Sequence, residues 1–155
     1  MTLELVPLTG DADVERMVDA LEPGFNGDRS AARELLVQTV SHLARNPRPD
    51  PWGSYLGRED GAFVAAGAFK LGPGADGSVE IAYTTFPACQ GSGHATRLVA
   101  ALCGLAFAAG APRVVAHTLA EENASNRALR RNGFAFVGEI VDPEDGPVWR
   151  WEKHG

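Results

Sequence analysis

The feature that most constrains the fold is a short loop of small residues at positions 90–96, Gln-Gly-Ser-Gly-His-Ala-Thr. It joins an apolar run typical of a strand, Val79 to Phe86, to an amphipathic run typical of a helix, Ala95 to Ala109. Such a loop leaves backbone N–H groups free at the positive end of a helix dipole, and this arrangement suits an anion, phosphate above all. The loop therefore predicts a strand–loop–helix unit that binds a phosphate-bearing molecule.

The composition of the 155-residue chain fits one domain, residues 1–155, with a substantial core. Hydrophobic residues make up 45% and charged residues 22%, as in ordinary globular proteins. The net charge is −6 without a basic block, so we expect no nucleic-acid partner and favour neutral or cationic substrates. No secretory signal and no bilayer-length apolar run is present, which predicts a cytoplasmic protein without a membrane partner. Cys89 and Cys103 form no Cys-x-x-Cys pair, so we expect no metal site.

Periodicity and turn signals divide the chain into alternating strands and helices. Strands are predicted at Leu3–Leu8, Ser54–Glu59, Ala62–Leu71, Ser78–Phe86, Arg113–Leu119, Phe134–Val141 and Val148–Glu152. Helices are predicted from a cap at Asp11 or Asp13 to Pro23, from Asp28 to Asn46, over Ala95–Ala109 and over Ala124–Arg131. The order β, α, α, β, β, β, α, β, α, β, β combines antiparallel hairpins with one right-handed parallel crossover. The predicted fold class is α/β in the α+β sense, a mixed, mostly antiparallel sheet with helices on both faces.

Three types of phosphate-binding loop compete at residues 90–96. A nucleoside triphosphate loop needs a lysine after its glycines, and none follows here. A dinucleotide-binding loop needs a third glycine, which is missing, although Glu121 stands about where such proteins hold a ribose. That loop also opens a doubly wound sheet, whereas this one follows antiparallel hairpins. A dinucleotide-binding protein is therefore kept only as the weaker alternative.

The third type matches the sequence. Residues 90–95, Gln-Gly-Ser-Gly-His-Ala, satisfy Gln/Arg-x-x-Gly-x-Gly/Ala at its three defined positions, and here the chain resembles the GNAT superfamily of acyl-coenzyme A-dependent N-acetyltransferases. Ile81 to Pro87 precedes the loop at the spacing of that family's fourth strand, and Asn123 to Phe134 resembles its Asn-x-x-Ser…Gly-Phe segment. The ending Trp149 to Glu152 is similar to endings in the branch that includes ribosomal-protein N-terminal acetyltransferases. Before Val79 the resemblance holds only in the order of elements.

This resemblance implies acetyl-coenzyme A (acetyl-CoA) as co-substrate. Backbone N–H groups of the loop would hold its pyrophosphate, and Gly93 would let the phosphate approach closely because it has no side chain. The resemblance also implies that the strand before the loop splays from the next one, so that its free backbone groups pair with the pantetheine amides. Asn123 and Asn126 would contact the pantetheine arm or simply cap the following helix. The expected binding residues are Thr84, Thr85, Gln90, Gly91, Ser92, Gly93, His94, Ala95, Thr96, Asn123 and Asn126.

For catalysis, the resemblance implies direct acetyl transfer to a primary amine in a ternary complex. Glu80 is the expected general base, since it alternates with apolar neighbours on its strand and can accept a proton there. His117 on the neighbouring strand is the second candidate base. Family members often carry a tyrosine acid where this chain has Leu129, so Tyr83, Ser125 or water would protonate the thiolate, or it would leave unassisted.

The acceptor pocket is expected from the turn at residues 21–27, the loop around Trp52 and the final hairpin. Glu22, Asp28 or Asp50 would steer an ammonium group there, or act as caps and surface charges. The expected acceptor is a small-molecule amine or a peptide N-terminus, and a homodimer is left open. The main alternative is a non-catalytic acyl-CoA-binding or sensor module of the same fold. Loss of the tyrosine favours that alternative, whereas Glu80 favours the enzyme.

Overall fold

Seven strands form one continuous sheet in the computed structural model, which describes residues 2–155 without the side chain of residue 71. The strands are β1 Glu4–Leu8, β2 Ser54–Glu59, β3 Ala62–Leu71, β4 Val79–Thr85, β5 Arg113–Leu119, β6 Ala135–Asp142 and β7 Gly146–His154. The α-helices are α1 Val14–Leu21, α2 Arg29–Arg45, α3 His94–Ala108 and α4 Ala124–Arg131. Asp13, Asp28 and Asn123 cap three of them by accepting a backbone N–H. The order of elements is the predicted one.

The strand order across the sheet is β1-β2-β3-β4-β5-β7-β6. The β4–β5 pair is parallel, and the other neighbouring pairs are antiparallel. The parallel pair is the one joined through α3, as a crossover connection requires. This confirms the predicted mixed sheet, and it differs from the doubly wound sheet that the dinucleotide alternative needs.

Helices cover both faces of the sheet, as predicted. On one face, Leu98 and Leu102 of α3 pack in a core with Ile81 and other strand residues. On the opposite face, α1 and α2 build a second core in which Leu36 packs with Phe86. Successive residues of β4 point to opposite faces, so this strand presents side chains to both layers. Residues on both faces of the sheet therefore surround the backbone of β4.

The final hairpin is longer than predicted. Strand β7 runs from Gly146 to His154 instead of Val148 to Glu152, and its pairing with β6 continues as far as the residue pair Asp142 and Gly146. The cause is a tight turn in which the carboxylate of Asp142 accepts the backbone N–H groups of Glu144 at 2.8 Å and Asp145 at 3.0 Å. Within residues 2–155, no helix has the length and apolar character that a bilayer crossing requires.

Candidate active site

The two central strands part in the middle of the sheet. Residues 79–81 of β4 pair with residues 114–116 of β5, and the described register between these strands goes no further. The other edge of β4 stays paired with β3 as far as Thr85. The backbone groups of residues 82–85 on the β5 side thus lack sheet partners within residues 2–155. Unpaired backbone groups inside a fold are costly unless water or a ligand binds them, so this end of β4 is a candidate binding edge.

A cavity of about 470 Å³ opens beside the unpaired end of β4. Its wall contains most of the binding and catalytic residues predicted from the sequence: Tyr83, Thr84, Thr85, Gln90, Gly91, Gly93, His94, Ala95, Thr96 and Ser125. It also contains residues that were not predicted: Cys89, Ala124, Arg127, Ala128 and Arg131. Among the predicted binding residues, Ser92, Asn123 and Asn126 are not part of this wall.

The loop at residues 90–96 has the backbone conformation that an anion site needs. Gly91 and Gly93 both adopt left-handed conformations, with φ of 85° and 77°, which glycine tolerates best. Gly93 is the N-cap of α3, and within residues 2–155 no side chain caps this helix. The first-turn N–H groups of α3 thus have no side-chain partner at the positive end of the helix dipole, and the residues of this turn line the cavity.

The two asparagines shape the start of α4. Asn123 accepts the backbone N–H of Asn126 at 3.0 Å, which makes it the N-cap. Asn126 is fully buried, and its side-chain amide donates to the carbonyl of Glu121 at 2.6 Å. Its Oδ1 is buried without a hydrogen-bond partner in the described part of the chain. Both residues hold the segment that carries Ser125 to the cavity wall.

A buried ion pair that was not predicted from the sequence restrains the loop. The Glu59 side chain at the end of β2 is only 2% exposed. Its carboxylate accepts Nε and Nη2 of Arg97, the latter at 3.0 Å, and lies 2.6 Å from Nδ1 of His94. The hydrogen bonds from Arg97 hold the pKa of Glu59 below its usual range. Arg97 Nη2 also donates to the carbonyl of Ser92 at 2.8 Å, so the ion pair is hydrogen-bonded directly to the loop.

Tyr83 and Ser125 contact each other in the cavity wall. The Tyr83 hydroxyl donates to the backbone carbonyl of Ser125 at 3.2 Å. Burial raises the pKa of Tyr83 above its usual range, so its phenol is protonated at neutral pH. Leu129, which stands where the resemblance implied a tyrosine, is fully buried in the core. Tyr83 therefore lines the cavity with a protonated phenol, which Leu129 cannot provide.

The two candidate bases are in contact on the opposite face of β4. Glu80 Oε2 lies 3.1 Å from Nδ1 of His117, and the two side chains are 13% and 18% exposed. Lys70 Nζ lies 3.8 Å from the same carboxylate oxygen. Nε2 of His117 is buried without a partner in the described part of the chain. With its proton on Nδ1, His117 would donate to Glu80 and fix the orientation of the carboxylate.

An open groove of about 490 Å³ lies on this second face, between α2 and the sheet. Its floor includes Ala82 and Thr84, which follow Glu80 on the same side of β4. The α2 side contributes Glu34, Gln38 and Thr39. A separate cavity of about 500 Å³ is lined by Glu80 itself together with Trp52 and Arg150. The Glu80 carboxylate thus lines an open space on the face of β4 opposite the glycine loop.

The elements predicted to form the acceptor pocket contribute unevenly. Trp52 lines the cavity that contains Glu80, and the final hairpin contributes Arg150. Phe25 instead packs on Phe86, with ring centroids 4.7 Å apart. Three further candidates have structural partners: Glu22 pairs with Arg29, Asp28 caps α2, and Trp151 is buried in the core. Residues 2–155 contain no group of three or more histidine, cysteine or acidic side chains arranged to hold a metal ion.

The sequence matches a family model, and the fold matches those of solved structures. The family model for the acetyltransferase (GNAT) domain matches residues 3–135. No curated protein matches the chain at a significant level.

Among solved structures, Mycobacterium smegmatis RimJ in complex with CoA-disulfide superposes with a TM-score of 0.76 at 19% identity, covering 99% of this chain and 82% of that one. The Salmonella typhimurium acetyltransferase that modifies the N-terminal serine of ribosomal protein L7/L12 gives 0.72 at 20% identity, covering 100% and 96%. The aminoglycoside acetyltransferase AAC(6')-Ib in complex with ribostamycin and coenzyme A gives 0.67 at 20% identity, covering 99% and 94%. At these identities the similarity establishes a shared fold.

Proposed function

Because this chain belongs to the GNAT family of acetyltransferases, we propose that it transfers an acetyl group from acetyl-CoA to a primary amine, directly within a ternary complex. One observation carries the proposal. The unpaired end of β4 lies between the glycine loop at residues 90–96 on one face and, on the other, the Glu80 carboxylate and the groove under α2. A thioester bound along this edge would be accessible to an amine that enters from the groove.

We assign the cavity beside the loop to the co-substrate. The backbone N–H groups of residues 91–95 would bind the pyrophosphate, and residues 84 and 85 would pair with the pantetheine amides in the manner of strand addition. Arg127 and Arg131 line the same cavity from α4, one helical turn apart. No acidic side chain forms an ion pair with either of them within residues 2–155, whereas Arg130 between them is paired with Glu122 at 2.8 Å. Both guanidinium groups are therefore available for phosphate.

We assign proton removal from the amine to Glu80, either directly or through a water molecule. His117 would orient the carboxylate through the 3.1 Å contact. The deprotonated amine nitrogen then attacks the thioester carbonyl carbon, whose oxygen a free backbone N–H of β4 would stabilise. This attack forms the C–N bond and a tetrahedral oxyanion. The nitrogen passes its extra proton to water, the oxyanion collapses with cleavage of the C–S bond, and coenzyme A leaves as a thiolate.

The thiolate needs little help to leave, because thiol pKa values lie near 8.5. Tyr83 is the better candidate to protonate it, since its phenol is protonated and lines the cavity. Ser125 is kept as the second candidate because it lines the same wall. The family's usual tyrosine donor is replaced by the buried Leu129, and this replacement is the observation that favours the rival function, a non-catalytic acyl-CoA-binding module.

The acceptor would be a small-molecule amine or a peptide N-terminus. The solved structures of similar fold include an enzyme that modifies an N-terminal serine and one bound to the aminoglycoside ribostamycin. The groove on the face of β4 that carries Glu80 has Glu34 on its α2 side, and this carboxylate would attract an ammonium group. These features support a cationic acceptor of either kind.

Release of coenzyme A thiol in the presence of a panel of amines and short peptides tests the proposal. We expect turnover with at least one acceptor, and Glu80→Gln should reduce kcat by about 10²- to 10⁴-fold, as loss of a general base does. Its affinity for acetyl-CoA should stay unchanged, since Glu80 lies on the opposite face from the loop. Glu15→Gln, in an exposed pair with Arg33 on the surface, is the matched control. Tight acetyl-CoA binding without release for any acceptor would favour the rival module.

A further inference from the structure

Glu59 is a buried carboxylate that the proposed chemistry does not use. It ends β2, adjacent to the Asp60-Gly61 turn, and its side chain is 2% exposed. Burying a charge is costly unless an opposite charge and hydrogen bonds compensate it. Arg97 supplies that compensation by donating from Nε and Nη2 to the two carboxylate oxygens. A fork-to-fork pair of this kind fixes the guanidinium plane in one orientation.

The fixed guanidinium acts on the loop through a third contact. Nη2 of Arg97 donates to the carbonyl of Ser92 at 2.8 Å. Ser92 lies between the two left-handed glycines and is absent from the cavity wall that its neighbours form. A carbonyl turned toward the cavity would repel an anion, whereas one bound to Arg97 faces away from it. Arg97 thereby holds the loop in the orientation that presents N–H groups to a phosphate.

The glycine at position 93 fits the same arrangement. A Cβ atom at this position would lie 2.9 Å from Nη1 of Arg97, closer than real Cβ contacts allow. At Gly91, by contrast, a Cβ would meet no atom within 4 Å. Gly93 is therefore required by its positive φ and by the guanidinium packed against it. This contact adds a reason for glycine beyond the close approach of a phosphate.

We infer that Arg97, held by the buried carboxylate of Glu59, is a positioning residue that preorganises the loop at residues 91–95 for the phosphates of the co-substrate. The inference rests on the proposed function, because it assumes that the phosphate end of acetyl-CoA occupies this loop. Arg97 acts through the backbone, by restraining Ser92, and its guanidinium stays bound to Glu59 in the free and bound protein. Its effect is confined to substrates that carry a phosphate.

A comparison of two acetyl donors tests the inference. Acetyl-CoA carries the pyrophosphate, and S-acetylpantetheine presents the same thioester without any phosphate. For Arg97→Lys and Glu59→Gln we expect KM for acetyl-CoA to rise about tenfold or more, as loss of a charge-assisted hydrogen bond predicts, with kcat changed less than about twofold. With S-acetylpantetheine, kcat/KM should match that of the unaltered protein. Arg33→Gln, which breaks an exposed fork-like pair with Glu15, is the control and should change neither donor.

Each other outcome has a distinct meaning. Equal losses with both donors would overturn the inference, because they would indicate a general structural defect. An unchanged KM for acetyl-CoA in both variants would overturn it as well. Arg97→Lys keeps a cation facing Glu59, so it provides the test even where Glu59→Gln fails to fold in thermal melts. Absence of coenzyme A binding and acetyl transfer in the unaltered protein would refute the proposed function itself.

Discussion

Two glycine substitutions in the loop give a matched test of the Arg97 contact. Gly91→Ala and Gly93→Ala each place a methyl group on a residue with left-handed φ, 85° and 77°. Each should therefore lose about 1–2 kcal/mol of unfolding free energy from backbone strain. Only the second methyl group meets an atom, Nη1 of Arg97 at 2.9 Å. The difference between the two variants isolates that contact.

The size of the difference follows from what holds Arg97. A free arginine end would move aside at little cost, but this guanidinium is bound to both oxygens of Glu59 and to the Ser92 carbonyl. Displacing it weakens charge-assisted hydrogen bonds, so Gly93→Ala should lose about 1–3 kcal/mol more than Gly91→Ala. Urea denaturation of both proteins measures this directly. Losses equal within about 0.3 kcal/mol would refute the view that Glu59 and Ser92 hold the guanidinium rigidly.

Three further predictions concern single groups of the site. Because the folded-state pKa of Glu59 is lowered, its contribution to stability is present above the unfolded pKa of about 4.3 and is lost as pH falls through the folded value. The stability gap between the unaltered protein and Glu59→Gln should therefore close in acid melts, and a constant gap would contradict the ion pair. Arg127→Ala and Arg131→Ala should each weaken coenzyme A binding about tenfold by calorimetry through loss of a phosphate contact, and unchanged affinity in both would remove α4 from the phosphate site. Tyr83→Phe should lower kcat more with a thioester of high leaving-group pKa than with a low one, and equal effects would exclude Tyr83 as the proton donor.

The strand–loop–helix unit around residues 90–96 was predictable because its signals are local. The loop at residues 90–96, the strand before it and the helix after it are contiguous, and glycine spacing reports backbone conformation directly. The parting of β4 and β5 was expected from the resemblance for residues 83–86, and the described register already ends at Ile81. Alternation along β4 also placed Glu80 on the face opposite Ile81. This last inference needs only the chain's own periodicity.

The residues that were missed depend on contacts between distant parts of the chain. Glu59 and Arg97 are 38 positions apart, and nothing in the local sequence distinguishes Glu59 from an exposed strand residue. Glu80 and His117 were predicted as alternatives, yet the β4–β5 register brings them within 3.1 Å of each other. The length of the final hairpin depended on the side chain of Asp142 replacing a longer loop. Tertiary register determines all three features.

The sheet separates two faces of the molecule, and the gap between β4 and β5 connects them. On one side lie α3, α4 and the glycine loop, and on the other lie α2 and Arg150 of the last hairpin. Under the proposed assignment of the two faces, mutations on the second side would reshape the acceptor pocket while the loop side keeps its geometry. A chain built this way could change its amine acceptor over evolution without rebuilding the proposed co-substrate site.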